Sequence, residues 1–190
     1  SAASDVYKRQ VSMILRKANK GEIDLLGPAK EIAKELLSIP NFNNTNGSVI
    51  QNEITHIKNF KKALLLVAGA AVQKFGKKLS EEQEVLMNIA DIINTIYLCE
   101  STLLRVQKAG SNDDYKNYNT QLKMLKVLVY DSCDKINKHG KDVINSISEG
   151  DESMMMKLGL KRFTKHSGLN SVKLRREIAK KVIEENKYCF

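Results

Sequence analysis

Three histidines, a group of glutamates and a run of methionines are the residues whose types admit chemistry in this chain. His56, His139 and His166 are candidate bases or metal ligands, but they stand far apart in sequence. None is read as paired with acids at metal-ligand spacing on a helix, so all three are taken as surface or loop residues. Glu81, Glu82 and Glu84 invite comparison with an acid–base pair. Acids in a first helical turn that complement the helix dipole explain them more simply. Met154 to Met156 offer a plastic apolar surface for a lipid or partner helix, although such methionines more often fill gaps in a core, and the core reading is preferred. Gly69 to Ala71 ("GAA") suits two helix backbones passing closely. No GxGxxG or P-loop occurs. No residue is therefore assigned as catalytic, cofactor-binding or metal-binding.

Cys99, Cys133 and Cys189 are an odd number at wide spacing, which reads as thiols in a reducing compartment rather than a disulfide framework or zinc site. The longest apolar run, "ALLLVAGAAV", stops after about ten residues, short of the roughly 18 that nominate a spanning helix. The expected location is the cytoplasm, at most peripheral to the inner membrane.

The elements follow from composition and period. Two prolines, ten glycines and no tryptophan in 190 residues favour long helices. The predicted fold is all-α, an up-and-down antiparallel bundle with short peripheral helices. Val11 to Lys20 reads as the last turns of a helix entering from upstream, stopped at Gly21. Pro28 suits the first position of a helix to about Ser38, closed by Pro40. Ser48 is the predicted cap of a helix whose stripe from Ile50 to Phe75 ends at Gly76. A capping box, Ser80 with Gln83, opens the next, which runs to Gly110. Ser111 to Asp114 cap a third long helix with Tyr118 to Ile147 on its inner face, where Gly140 either interrupts or is tolerated at about 1 kcal/mol. A short segment follows around Met154 to Leu158, and Ser171 is the predicted cap of a basic helix to about Asn186.

The net charge is +9, and Lys157 to Phe190 carries ten Lys or Arg against three Glu. The last helix, with Val172, Ile178, Val182 and Ile183 among its apolar positions, suits an anionic membrane surface. A solvated face on a docked helix is the plainer reading. Without an aromatic platform or groove-reading motif, nucleic acid is not an expected partner.

Some residues carry a resemblance. "ANKGEIDLLGPAKEIAKELLSIP" (Ala18 to Pro40), the stretch from "ALLLVAGAAVQKFGKKLSEEQ" to "STLLR" (Ala63 to Arg105), and "GLKRFTKH" through "ENKYCF" (Gly159 to Phe190) resemble the C-terminal region of bacterial acyl-CoA dehydrogenases. The chain is most similar to the long, very-long-chain-like form, which appends an extra helical domain. Asp5 to Gln10 in turn resemble a translated sequencing-library adaptor. The resulting division is residues 1–10 as a non-native scar, 11–45 as the end of the preceding dehydrogenase helical domain with a connecting helix, and 46–190 as the C-terminal bundle.

The resemblance implies a parent enzyme of fatty-acid β-oxidation that binds FAD and an acyl-CoA thioester. In that family a glutamate removes the α proton while the flavin takes the β hydrogen as hydride, giving a trans-2-enoyl-CoA. In the long form this glutamate lies in a Glu-Gly-Thr motif just before the segment resembling Val11 to Lys20. No Glu-Gly-Thr occurs here. The expectation is thus a fragment without activity or cofactor of its own, whose partners are the rest of the dehydrogenase chain, a second copy in the parent homodimer and, through the basic tail, a membrane surface. The alternative is a stand-alone helical scaffold or membrane-surface adaptor.

Overall fold

A computed structural model describes residues 2–36, 50–111 and 115–187. It contains seven α-helices and one 3-10 turn, with no strand among the described residues. The all-α expectation is met.

The helix α1 (Ala2–Asn19) runs unbroken through the segment that resembles an adaptor. It closes with the Gly21 N–H donating to the Ala18 carbonyl and the Glu22 N–H to the Lys17 carbonyl, both at 3.0 Å, with Gly21 at φ 74°. That pairing satisfies the last carbonyls of α1. The next helix, α2 (Leu26–Leu36), starts two residues before Pro28, so this proline is third rather than first. The earlier start is supported by Asp24, whose carboxylate accepts from the Gly27 N–H at 2.8 Å. The predicted closing residues Ser38 and Pro40, the predicted cap Ser48 and residues 112–114 of the SNDD cap lie outside the described residues, as does Cys189.

Three long helices form the centre: α3 (Gln51–Phe75), α4 (Gln83–Ser111) and α5 (Tyr115–Ile147). Their apolar stripes meet in a single cluster that includes Phe60, Val67, Ile92, Leu125, Val129 and Ile136. Each large buried side chain contributes roughly 1.5–3 kcal/mol relative to leaving it in water. Gly76 ends α3 as expected. Ser80 does not stand at the cap of α4: Gly76–Glu81 is a 3-10 turn, and the Ser80 hydroxyl donates to the Lys77 carbonyl. The turn drives Leu79 into the core at 1% exposure. Burying a leucine, about 2 kcal/mol, outweighs a cap of about 1 kcal/mol.

Two further helices pack on the outside. The helix α6 (Gly150–Thr164) is a full 15 residues, not a short segment, and it buries Ser153, Gly159, Leu160, Phe163 and Thr164 against α3 and α5. This inward face places Met154 and Met155 on the opposite side, where they are 57% and 54% exposed. The core reading of the methionines holds only for Met156, which packs against the cluster. The helix α7 (Ser171–Glu185) rests on α5 and buries no residue. Its cap is Asn170, whose side chain accepts from the Lys173 N–H at 3.0 Å, rather than Ser171. An αL Asn186 closes it.

Candidate functional site

The histidines regroup in the fold. His56 lies in the second turn of α3, and His166 in the connection between α6 and α7. Their rings stack in near-parallel fashion, with centroids 4.7 Å apart and planes at 10°. Tyr130 of α5 meets His166 edge-on at 5.1 Å and 89°. The surface-or-loop reading is therefore corrected for His56, which lies within α3, while His166 does stand in a loop. Both are half-buried, in a seam where α3, α5 and the α6–α7 connection meet.

One helical turn before His56, Glu53 is 6% exposed and its Oε2 has no hydrogen-bond partner, like the buried Nδ1 of His56. The Gly168 N–H donates to His166 Nδ1 at 3.0 Å. That bond requires Nδ1 to be bare and so fixes His166 as the neutral Nε2–H tautomer. Gly168 stands at φ 109°, a conformation open to glycine that lets the connection fold back onto the ring. Burial, and next the neighbouring ring of His166, push His56 down to about 4. Burial also lowers His166, with the Glu53 carboxylate pulling the other way. The seam can bind protons. Among the described residues it lacks a nucleophile with an oriented base.

The other expected groups stay apart. His139 is half-buried, and its Nδ1 shares a hydrogen bond with Asn88 Oδ1 at 2.8 Å, with Asp91 at 3.9 Å. Glu84 sits in the first turn of α4, where it complements the dipole, while Glu81 and Glu82 belong to the 3-10 turn and its end. Among the described residues, no group of three or more His, Cys, Asp or Glu is placed to hold a metal ion. The thiols of Cys99 and Cys133 are buried between α4 and α5. Cys99 shares a hydrogen bond with Ser132 at 3.1 Å, and burial pushes Cys133 up to about 12. Sequence reasoning missed the seam because 110 positions separate His56 from His166. The local trace was Glu53 and His56, three apart on one helical face.

Two surface features complete the picture. An apolar groove between α1 and α4 is lined by Met13, Ile14, Ile23, Ile93 and Tyr97, with Lys17 at its edge. A second groove, between the end of α5 and α6, sets Met154 and Leu158 among Lys141, Lys157 and Lys161.

Comparison with known proteins places the fold. Residues 59–162 match the sequence profile of the family described as acyl-CoA dehydrogenase, C-terminal domain. A probable acyl-CoA dehydrogenase of Bacillus subtilis (strain 168) is 33% identical over 177 residues, 93% of this chain and 30% of that protein. The crystal structure of an acyl-CoA dehydrogenase complexed with FAD from Bacillus anthracis superposes with a TM-score of 0.88 at 33% identity, covering 97% of this chain and 31% of that one. The chain thus spans about three tenths of the length of these relatives. With more than half of its residues inside the matched profile, it belongs to the acyl-CoA dehydrogenase C-terminal domain family.

Proposed function

We propose that this chain is the helical C-terminal part of a flavin-dependent acyl-CoA dehydrogenase, serving the α,β-dehydrogenation of acyl-CoA thioesters as a supporting body. The observation that carries the reading is the groove between α1 and α4. Met13 and Tyr97 are 54% and 73% exposed, and beside them on α4 Leu98 and Leu104 are 54% and 59% exposed. An apolar groove with exposed large side chains of this kind suits a docking face. The proposed covering partner is the rest of a dehydrogenase chain, a reading supported by relatives of which this chain spans about three tenths.

No flavin site is proposed among the described residues. The stacked and edge-on rings of the seam stand too close for another ring to enter between them. The acid–base and hydride chemistry is accordingly assigned to the preceding domains, and no step is routed through this chain.

The finer parts of the proposal have narrower support. The long-form assignment and a parent homodimer rest on the resemblance. The scar at 1–10 rests on Asp5 to Gln10, and the boundaries at 11–45 and 46–190 on the same quoted segments. Among the described residues, no helix is long and apolar enough to cross a membrane. Peripheral contact is supported by α7, where Val172, Val182 and Ile183 are exposed beside Lys173, Arg176 and Lys180.

The test is to purify the 190-residue chain and measure FAD and acyl-CoA binding together with dehydrogenation. Neither ligand is expected to bind stoichiometrically. Tight flavin with turnover would place the chemistry inside this chain, against the proposal. A reading frame continuing upstream of Val11 through a Glu-Gly-Thr segment supports it, whereas a start codon there favours the scaffold alternative.

A further inference from the structure

We propose that the stacked His56 and His166 form a proton-operated clasp that holds the α6–α7 connection against the bundle at neutral pH and releases it in mild acid. The geometry carries this in three steps. First, the clasp ties the α6–α7 connection to α3, whereas α7 is tied to α5 by its own ion pairs. His56 belongs to α3 and His166 to the six-residue connection, while α7 contributes no buried residue of its own. Second, the closed form requires neutral rings. His166 Nδ1 is occupied as an acceptor from the Gly168 N–H at 3.0 Å, so a proton there breaks the bond that shapes the connection. A second charge on His56 would face it at 4.7 Å across the stack. Third, His56 is too enclosed to be solvated as a cation, since its Nδ1 is buried without a partner.

The charged and titratable groups around the pair fit this arrangement. From α3 comes Glu53, which draws the first proton toward His166. From α5 comes the Tyr130 phenol ring. On α6, Arg162 is engaged with the Glu35 carbonyl of α2 and Lys161 is exposed, as is Lys165 at the start of the connection. On α7, Arg175 is held by both oxygens of Asp131 at 2.6 and 2.7 Å, and Glu177 pairs with Lys123 at 2.8 Å. The hydrogen bond from Lys123 holds Glu177 below the usual carboxylate range, so this pair persists while the histidines charge.

The direction of the effect follows from linkage. Closed rings titrate below the ordinary value near 6.5 and released rings at it, so the open form binds more protons between about pH 6.5 and 4, and closure weakens as pH falls through that window. The open-to-closed ratio grows by up to about tenfold per histidine per pH unit below 6.5.

The test is amide hydrogen exchange on the full 190-residue chain at pH 7 and pH 5, corrected for intrinsic rates, beside NMR titration of the imidazole signals. The amides of the 165–170 connection, Gly168 above all, are expected to lose at least tenfold more protection than those of α3 and α5, with both rings titrating below 6.5. His56→Phe, which keeps a ring in the stack but cannot charge, is expected to cut the excess at least threefold. Uniform loss across the chain, an unchanged excess in His56→Phe, or either ring titrating at or above 6.5 overturns the clasp. The ring titration decides the matter in the native chain even where the variant perturbs folding.

Discussion

Gly140 lies within the longest helix, where glycine ordinarily costs about 1 kcal/mol relative to alanine. In the fold it is the point where α6 presses against α5. A Cβ built there would stand 2.7 and 2.8 Å from the two terminal methyls of Leu160, a side chain with no exposure. Turning the leucine about its last bond exchanges one methyl for the other and relieves nothing. The cost of overpacking, about 1–3 kcal/mol, therefore exceeds the propensity gain. Gly140→Ala is expected to lower unfolding free energy by about 1 kcal/mol in urea denaturation, and a stabilised variant would show that Leu160 yields. The sequence left this glycine open between interruption and tolerance, since its reason is a partner twenty positions on.

At the scale of elements, legibility tracked how much of a helix's position was decided by its own stripe. The continuous stripes of α3, α4 and α5 and the stop at Gly76 were readable because burial of those positions dominates the local energetics. Starts were less readable. Ser80 gave way to burial of Leu79, and Asn170 took the capping role expected of Ser171. The helix α6 was underestimated because its inward positions include Ser153, Gly159 and Thr164, polar or small residues that a hydrophobic pattern does not count. Here Thr164 accepts a hydrogen bond from Asn137 of α5 at 2.7 Å. With no buried residue, α7 depends on its cap and on two ion pairs, and exposed pairs contribute little. Asn170→Ala is accordingly expected to cost α7 about 1 kcal/mol. The check is faster exchange of α7 amides at neutral pH, with those of α3 and α5 unchanged. A global loss of protection would mean that α7 is more deeply integrated than its burial indicates.

For the whole molecule, the groove between α1 and α4 leaves this polypeptide with an apolar face when its proposed neighbours are missing. The isolated chain is therefore expected to associate with itself in a concentration-dependent way, and Tyr97→Lys to shift it toward monomer in sedimentation velocity. A wild-type chain that stays monomeric at high concentration would indicate that the groove needs no cover. The seam between His56 and His166 was not legible in the sequence because it exists only once α3, α5 and α6 are assembled. The buried thiols of Cys99 and Cys133 have another consequence at this scale. They stay protonated and hidden until α4 and α5 part, so alkylation at these two positions acts as an internal clock of core separation, deaf to fraying at the periphery.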